Sequence, residues 1–256
     1  MDDGGLVVIG APPNPYRCPP APYERASQIA NYLKRHKPAS KVIILDPKSG
    51  FAKQPQFEEA WAELYGYGSN DALIEWHAGS EQRLSALEAA TGNVQTLGGE
   101  TLQADVINPI PAQQAGAIAF SAGLTDDSGW CPVNPLTFES RLLPNIHVIG
   151  DACTATALPK SGYAANSEGK ACAAAIAALL DGQEPPNPSF SNGCFSVVSD
   201  EWAISILAVY QLAGDGNSIE AITSGASPLA SRDRHRLIAV EHAHAWYRNF
   251  VADTFG

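Results

Sequence analysis

Apolar runs that flank an amphipathic segment predict a strand, a helix and a second strand in the first part of the chain. Residues 6–9 and 41–45 are continuous apolar runs, as expected for strands that are buried on both faces. Between them, residues 22–36 predict a helix with Glu24 near its positive end and basic residues at its close. This order is typical of a parallel, doubly wound α/β sheet.

The pattern beyond these elements predicts a mixture of helices and strands. Helices are predicted at residues 56–64, 113–122, 161–180 and 241–253, and strands at 73–76, 94–97, 104–108, 146–149, 193–198 and 203–211. A loop rich in Gly, Asp and Pro covers residues 125–135. A segment with turn-forming residues, DGQEPPNP, covers 181–188.

Composition excludes several classes of function. The chain has 256 residues, of which 45% are hydrophobic, and its formal net charge is −11. It lacks the basic surface that nucleic-acid binding requires, and it has no apolar run of about 18 residues that predicts a membrane span. Its five cysteines are widely spaced, without a CxxC pair or a cluster with His. The sequence therefore predicts no metal site and leaves room for one long-range redox pair.

The loop after the first strand is unsuited to a nicotinamide dinucleotide. Such a site needs glycines, which let the backbone approach the pyrophosphate at a helix N-terminus. Residues 11–21 read APPNPYRCPPA, without a glycine, and proline has no N–H to donate. Asp46 stands where a ribose-binding acid would stand, but without those glycines we expect it to cap a strand end or a turn.

The same loop carries Cys18, which stands beside Arg17 and just before a helix. Both features favour the thiolate form of a cysteine. The alternative is an unreactive loop cysteine, and position alone does not separate the two.

A predicted strand that ends at Gly150 and Asp151 is the best local sign of a ligand site. Glycine permits close approach of a ligand, and the carboxylate of Asp151 can accept hydrogen bonds from ribityl or sugar hydroxyls. The helix that starts near Ser161 would stabilise negative charge, such as that on the pyrimidine edge of a reduced flavin. The alternative is a strand-end aspartate that caps a turn.

Seven segments carry a resemblance to a known family. They read YRCPPAPYERASQIANYLK, KVIILD, FEEAWAELYGYG, DDSGWCPVNPLTFES, HVIGDAC, PKSGYAANSEGKACAAAIAALL and SNGCFSVVSDEWAISILAVY. Together they resemble the flavoprotein subunit of flavocytochrome c sulfide dehydrogenase, and the resemblance runs from residue 4 to residue 256. That family is related to sulfide:quinone oxidoreductases and to glutathione-reductase-like flavoproteins.

The resemblance implies a truncated glutathione-reductase-like flavoprotein fold in three parts. They are a second nucleotide-type, NAD-like domain at 1–108, the remainder of the FAD-binding domain at 109–185, and an α+β C-terminal interface region at 186–256. Family members begin with a βαβ unit that holds a glycine-rich FAD loop and a cysteine that binds the flavin covalently, and nothing in this sequence matches either. We therefore expect the chain alone to bind FAD weakly and to self-associate through an uncovered sheet edge at 146–149.

The resemblance also implies the chemistry and its residues. Family members are periplasmic, oxidise sulfide through a redox disulfide and FAD, and pass electrons to a c-type cytochrome subunit. The disulfide would join Cys18 and Cys194: sulfide would attack it, and the released thiolate would reduce the flavin. The flavin contacts would be made by Gly150, Asp151, Lys160, Ser161, Gly162 and Tyr163, with Asp151 at the ribityl chain.

Other functions fit parts of this pattern. An NADH-dependent disulfide reductase is disfavoured by the proline-rich loop, whereas a sulfide:quinone oxidoreductase-like enzyme is closer. A non-catalytic fragment or an electron-transfer scaffold is the non-enzyme alternative. Of the remaining cysteines, Cys172 is expected in the core, and Cys131 and Cys153 are either packed residues or part of the site.

Overall fold

The computed structural model describes all residues from Met1 to Gly256 and divides into two compact units. The first unit comprises Met1–Ala112, Phe195–Ile204 and Ser227–Tyr247, and the second comprises Gln113–Cys194, Ser205–Ala226 and Arg248–Gly256.

The elements in chain order are β1 (Leu6–Gly10), α1 (Ala21–His36), β2 (Lys41–Asp46), α2 (Gln54–Tyr65), β3 (Ile74–Ala78), β4 (Leu84–Glu88), β5 (Asn93–Thr96), β6 (Thr101–Gln103), β7 (Val106–Pro109), α3 (Ala117–Ser121), β8 (Cys131–Pro132), β9 (Cys153–Thr154), α4 (Gly162–Leu180), β10 (Ser189–Ser199), β11 (Trp202–Leu212), β12 (Ile219–Ala226) and α5 (Asp233–Phe255).

A parallel four-stranded sheet lies at the centre of the first unit. Its strand order is β3-β2-β1-β7, and every neighbouring pair is parallel, so the predicted doubly wound arrangement is confirmed. Helix α1 begins with Pro22 in its first turn and ends with three basic residues, as the helix dipole favours. A second, antiparallel sheet of order β4-β5-β6 also belongs to this unit.

Aromatic rings fill the core beside this sheet, around one buried carboxylate. Tyr23 stacks on Phe51 with ring centroids 3.6 Å apart. Asp46 is fully buried and accepts hydrogen bonds from the Tyr23 hydroxyl at 2.5 Å and from Trp76 Nε1 at 3.0 Å. It also accepts the backbone N–H of Lys48 at 3.0 Å and pairs with the ammonium of that lysine at 2.7 Å. Asp46 thus ends a strand and caps the following turn, as predicted.

The core of the second unit lies around helix α4 and parts of the sheet β10-β11-β12. Phe138 meets Phe190 edge to face, with ring centroids 5.7 Å apart. Cys172 and Ala164 from the buried face of α4 join the same hydrophobic cluster, as do Tyr210 and Ile219 from β11 and β12. Cys172 is therefore a core residue, as expected.

The sequence prediction is wrong at residues 146–149, which do not form a strand. The segment makes a single isolated bridge, Glu139 to His147, and Val148 N donates to Phe138 O at 2.9 Å. A strand needs a continuous ladder of such bonds, and one bridge does not provide it. The predicted helix at 113–122 is also shorter, at Ala117–Ser121, and the last helix begins earlier, at Asp233.

We expect Tyr23→Phe to lower the free energy of unfolding by about 1–3 kcal/mol, because it leaves a buried carboxylate without one of its donors. Urea denaturation measures this change. Tyr32→Phe, at a half-exposed position of the same helix, is the control and should stay within about 0.5 kcal/mol of the wild type. Equal effects of the two substitutions would contradict the role given to the Asp46 cluster.

Candidate functional site

A tight turn, residues 150–153, lies at the centre of the candidate site. Residues Gly150–Ala152 form one 3-10 turn, and Cys153 begins β9. The backbone at Gly150 has φ +71°, and a Cβ there would lie 3.2 Å from the Cβ of Ala165 on helix α4. Glycine is therefore required for the conformation of the turn and for its close approach to α4.

Glu168 lies on the buried face of α4 beneath this turn. Its side chain is 2% exposed, and Oε2 accepts the Gly150 N–H at 2.5 Å. The same oxygen lies 3.7 Å from Cys153 Sγ, which donates to it. Burial raises the pKa of the Glu168 carboxyl, although the Gly150 amide, Cys153 and Lys160 oppose the rise.

Sequence reasoning missed Glu168, because a glutamate in an alanine-rich helix is expected on a solvated face. A signal was present in the helical period. The buried residues of α4 are Ala164, Glu168, Cys172 and Ala175, which recur at intervals of three and four residues. That spacing places the glutamate on the core face.

Lys160 was predicted to contact a cofactor, but its ammonium group binds the turn. Nζ donates to the carbonyl of Asp151 and to that of Cys153, both at 2.8 Å. It also lies 3.8 Å from the centroid of the Trp130 ring, a cation–π contact. Burial lowers the pKa of Lys160, while the nearby Cys153 and Asp151 oppose this effect.

Asp151 presents a buried acceptor that nothing in the chain satisfies. Its Oδ1 atom is buried and has no hydrogen-bond partner. Such an atom is costly unless a donor reaches it, so a native site with this feature needs an explanation. A hydroxyl of a ribityl chain is a donor of the right kind, and the residues present therefore fit that part of FAD.

The N-terminus of α4 lies beside the strand that carries Cys194. Ser161 caps the helix by accepting Ala164 N–H at 3.1 Å, and its hydroxyl donates to Asn192 Oδ1 at 2.6 Å. A Cβ at Gly193 would lie 2.8 Å from the Tyr163 ring, so only glycine permits this packing. The structure therefore brings Ser161 and Tyr163, on either side of Gly162, to the two residues that precede Cys194.

The two predicted redox cysteines have different surroundings. Cys18 is exposed in the loop before α1, where its carbonyl accepts the Ala21 N–H at 2.9 Å. Cys194 is half-buried on β10. The first belongs to the first unit and the second to the second unit, and their pairing stays a prediction.

Cys131 and Cys153 occupy opposite positions in the short parallel pairing of β8 and β9. Both are buried, and burial raises the pKa of each thiol, most strongly that of Cys153 beside Glu168. Burial also raises the pKa of Cys172. These three cysteines therefore pack as protonated thiols.

Two family models match the chain. The model for the central part of the flavoprotein chain of sulfide dehydrogenase (flavocytochrome c) matches residues 1–111. The flavin-binding model of flavocytochrome c sulfide dehydrogenase matches residues 186–255.

Solved structures share the fold at low sequence identity. The sulfide:quinone oxidoreductase of Aquifex aeolicus is 20% identical with a TM-score of 0.62, over 96% of this chain and 58% of that one. A chain of the mitochondrial ATP synthase of Tetrahymena thermophila is 16% identical with a TM-score of 0.57, over 97% and 60%. Putidaredoxin reductase, in its covalent complex with putidaredoxin, is 18% identical with a TM-score of 0.53, over 94% and 59%.

These likenesses establish the fold, which is of the glutathione-reductase-like class, as predicted. The chain spans about three fifths of the length of each of these three proteins. None of its helices combines the length and the apolar character that crossing a membrane requires.

We expect Cys18 to react with iodoacetamide first after reduction, and Cys131, Cys153 and Cys172 to stay unmodified until denaturant is added. The thiolate is the reacting form, and burial keeps these three thiols protonated. Mass spectrometry of peptides taken over time measures the rates, and a denatured sample, in which all five react, is the control. Modification of Cys153 as fast as that of Cys18 would contradict this assignment.

Proposed function

We propose a function for this chain from the family to which it belongs, that of the flavoprotein chain of flavocytochrome c sulfide dehydrogenase. In this proposal the chain takes part in the oxidation of sulfide, and the electrons pass to a c-type cytochrome. FAD is the cofactor of this family, and the chain belongs to the flavin-dependent oxidoreductases. The proposal includes sulfide as the substrate, the cytochrome as the electron acceptor and a periplasmic location. It also includes the division of the chain into three domains, with boundaries after residues 108 and 185.

The unsatisfied Oδ1 of Asp151 is the observation that supports this function best. It lies in a turn that Gly150 permits and that Glu168 and Lys160 hold through hydrogen bonds. The start of α4, whose first N–H groups and dipole stabilise negative charge, stands a few residues further along the chain. An acceptor for a ribityl hydroxyl and a helix start for an electron-rich ring edge are the two features that a flavin site needs from this segment.

Each residue has a role in this proposal. Asp151 would accept a hydrogen bond from a ribityl hydroxyl, and Gly150 would allow the cofactor to approach the backbone. The start of α4, which Ser161 caps, would offer its main-chain N–H groups at Gly162 and Tyr163 to negative charge on a bound flavin. FAD, when bound, supplies an acceptor that takes two electrons together and passes them on singly.

The cysteines supply the sulfur chemistry. Hydrosulfide attacks one sulfur of a disulfide between Cys18 and Cys194, so that one S–S bond breaks and a new one forms to the incoming sulfur. One cysteine becomes a persulfide, which loses its proton, and the other leaves as a thiolate. A bond between the outer persulfide sulfur and that thiolate sulfur then releases two electrons, which FAD would accept when bound. This pairing is supported by the family and by the place of Cys194, which directly follows the residues that contact the α4 start.

We expect Asp151→Ala to weaken FAD binding by about tenfold or more, because a buried hydrogen bond to a carboxylate is lost. Fluorescence titration measures the affinity, with the chain alone and with a polypeptide that carries a glycine-rich FAD loop. Asp127→Ala, at an exposed loop position, is the control. Equal affinities of the two variants would remove Asp151 from the site, and no FAD binding under either condition would contradict the proposed function.

We expect Cys18→Ser and Cys194→Ser each to abolish the bleaching of bound FAD by sulfide while dithionite still bleaches it, because either change removes the disulfide but not the flavin. Stopped-flow absorbance follows the reaction, and Cys172→Ser in the core is the control. Subsequent oxidation by cytochrome c, against oxidation by a soluble quinone, identifies the acceptor. Full bleaching by sulfide in both single variants would contradict the disulfide mechanism.

A further inference from the structure

We propose that Glu168 and Lys160 are positioning residues, which hold the 150–153 turn from two sides and so set its affinity for FAD without contacting FAD. The inference rests on the proposed function, since it concerns the same turn and assigns to Asp151 the same contact. It changes the role of Lys160 from a ligand of the cofactor to a support of the turn, and it adds Glu168 to the site.

The contact of Glu168 fixes the amide at the start of the turn. Its Oε2 accepts both the Gly150 N–H and the Cys153 S–H, so one oxygen joins the first and last residues of the turn. The carboxyl is 2% exposed, so water cannot replace it as the acceptor. Removal of this side chain leaves two donors without a partner, the half-buried Gly150 N–H and the buried Cys153 S–H.

The contacts of Lys160 account for all of its donors. An ammonium group has three N–H bonds. Two go to the carbonyls of Asp151 and Cys153, and the third side of the group faces the Trp130 ring. No donor is left for a phosphate or a ring nitrogen of a ligand, so the lysine acts through the backbone that it holds.

Together the two residues bind three polar backbone groups of the turn, while one side-chain oxygen of the turn stays without a partner. The Gly150 N–H and the carbonyls of Asp151 and Cys153 are all satisfied from within the second unit. Asp151 Oδ1 is the group that stays without a partner. A turn whose backbone is held in this way keeps that oxygen in one place before a ligand arrives, which lowers the entropic cost of binding.

The charge of Glu168 gives this arrangement a pH dependence. The titratable groups that face it are Cys153, Lys160 and Asp151. Cys131, on the neighbouring strand, interacts with Cys153 and Lys160. Burial raises its pKa above the ordinary value of 4.5, so the folded state binds this proton more tightly than the unfolded state does. Its contribution to stability is complete below that ordinary value and is lost as the pH rises through the folded pKa.

The test compares Glu168→Ala, Glu168→Gln and Lys160→Met with Lys170→Ala, an exposed change on the same helix. Hydrogen exchange of the peptide that spans the turn is measured first, without cofactor. We expect Glu168→Ala to lower the protection of the Gly150 amide by about tenfold or more, because it loses its buried acceptor. Glutamine keeps an acceptor oxygen in that place, so Glu168→Gln should retain most of the protection, as should Lys170→Ala.

FAD affinity is then measured for the same four variants. Glu168→Ala and Lys160→Met should each weaken binding by about tenfold, and Glu168→Gln should stay within about threefold of the wild type. Thermal denaturation from pH 4 to pH 8 adds a third result. Glu168→Gln should gain stability relative to the wild type as the pH rises above 4.5 and then level off, since it removes a buried carboxyl that ionises there.

Two outcomes would overturn the inference. One is wild-type FAD affinity in Glu168→Ala together with lost protection of the Gly150 amide, which would show that the turn need not be held for binding. The other is a loss of affinity in Lys160→Met with unchanged exchange of the turn, which would show direct contact. A wild-type chain that binds no FAD under any condition instead contradicts the proposed function, while the exchange and pH results still test the support of the turn.

Discussion

The hydrogen bond from the Gly150 amide to the buried carboxyl of Glu168 is the contact on which the candidate site depends. It couples the turn to the middle of a 19-residue helix, so the long, rigid element fixes the short, irregular one. Burying a carboxyl in an alanine-rich helix is unfavourable by itself, and burial accordingly raises its pKa. The free-energy cost of burying the Glu168 carboxyl is offset by two hydrogen bonds, because the Gly150 N–H and the Cys153 S–H both donate to it. Lys160 completes the arrangement from the carbonyl side.

Two aspartates of this chain, the buried Asp46 and the half-buried Asp151, differ in how many of their oxygens have hydrogen-bond partners. Asp46 meets Tyr23, Trp76 and Lys48, and its oxygens have the donors that a buried carboxylate needs. Asp151 keeps one buried oxygen without any donor. Both follow apolar segments and both suggested ribose or ribityl binding at first sight. The number of hydrogen-bond partners, not the position after an apolar run, is the reason for proposing different roles for the two residues.

The parts that the sequence predicts well are those governed by local periodicity. The order β1-α1-β2, the start of α4 at Ser161 and the strands β10 and β11 follow from apolar spacing and capping residues. Elements with few buried residues escaped prediction: β4 has one half-buried and four exposed residues, and β12 has one buried residue. The 146–149 segment has the composition of a strand, but a ladder depends on neighbours far along the chain. Glu168 was missed for a related reason, since its partners are 15 and 18 residues away.

The packing of Tyr163 on Gly193 joins the start of helix α4 to the strand that carries Cys194. Because the ring fills the volume that any side chain at position 193 would occupy, the start of α4 packs directly against the strand that leads to Cys194. The bond from Ser161 to Asn192 makes the same connection one residue earlier. In the proposed mechanism the sulfur of Cys194 gains and loses a bonding partner, and these contacts lie within two residues of it. The sulfur of Cys194 is thus separated by only two residues of backbone from the contacts that hold the positive end of the α4 dipole.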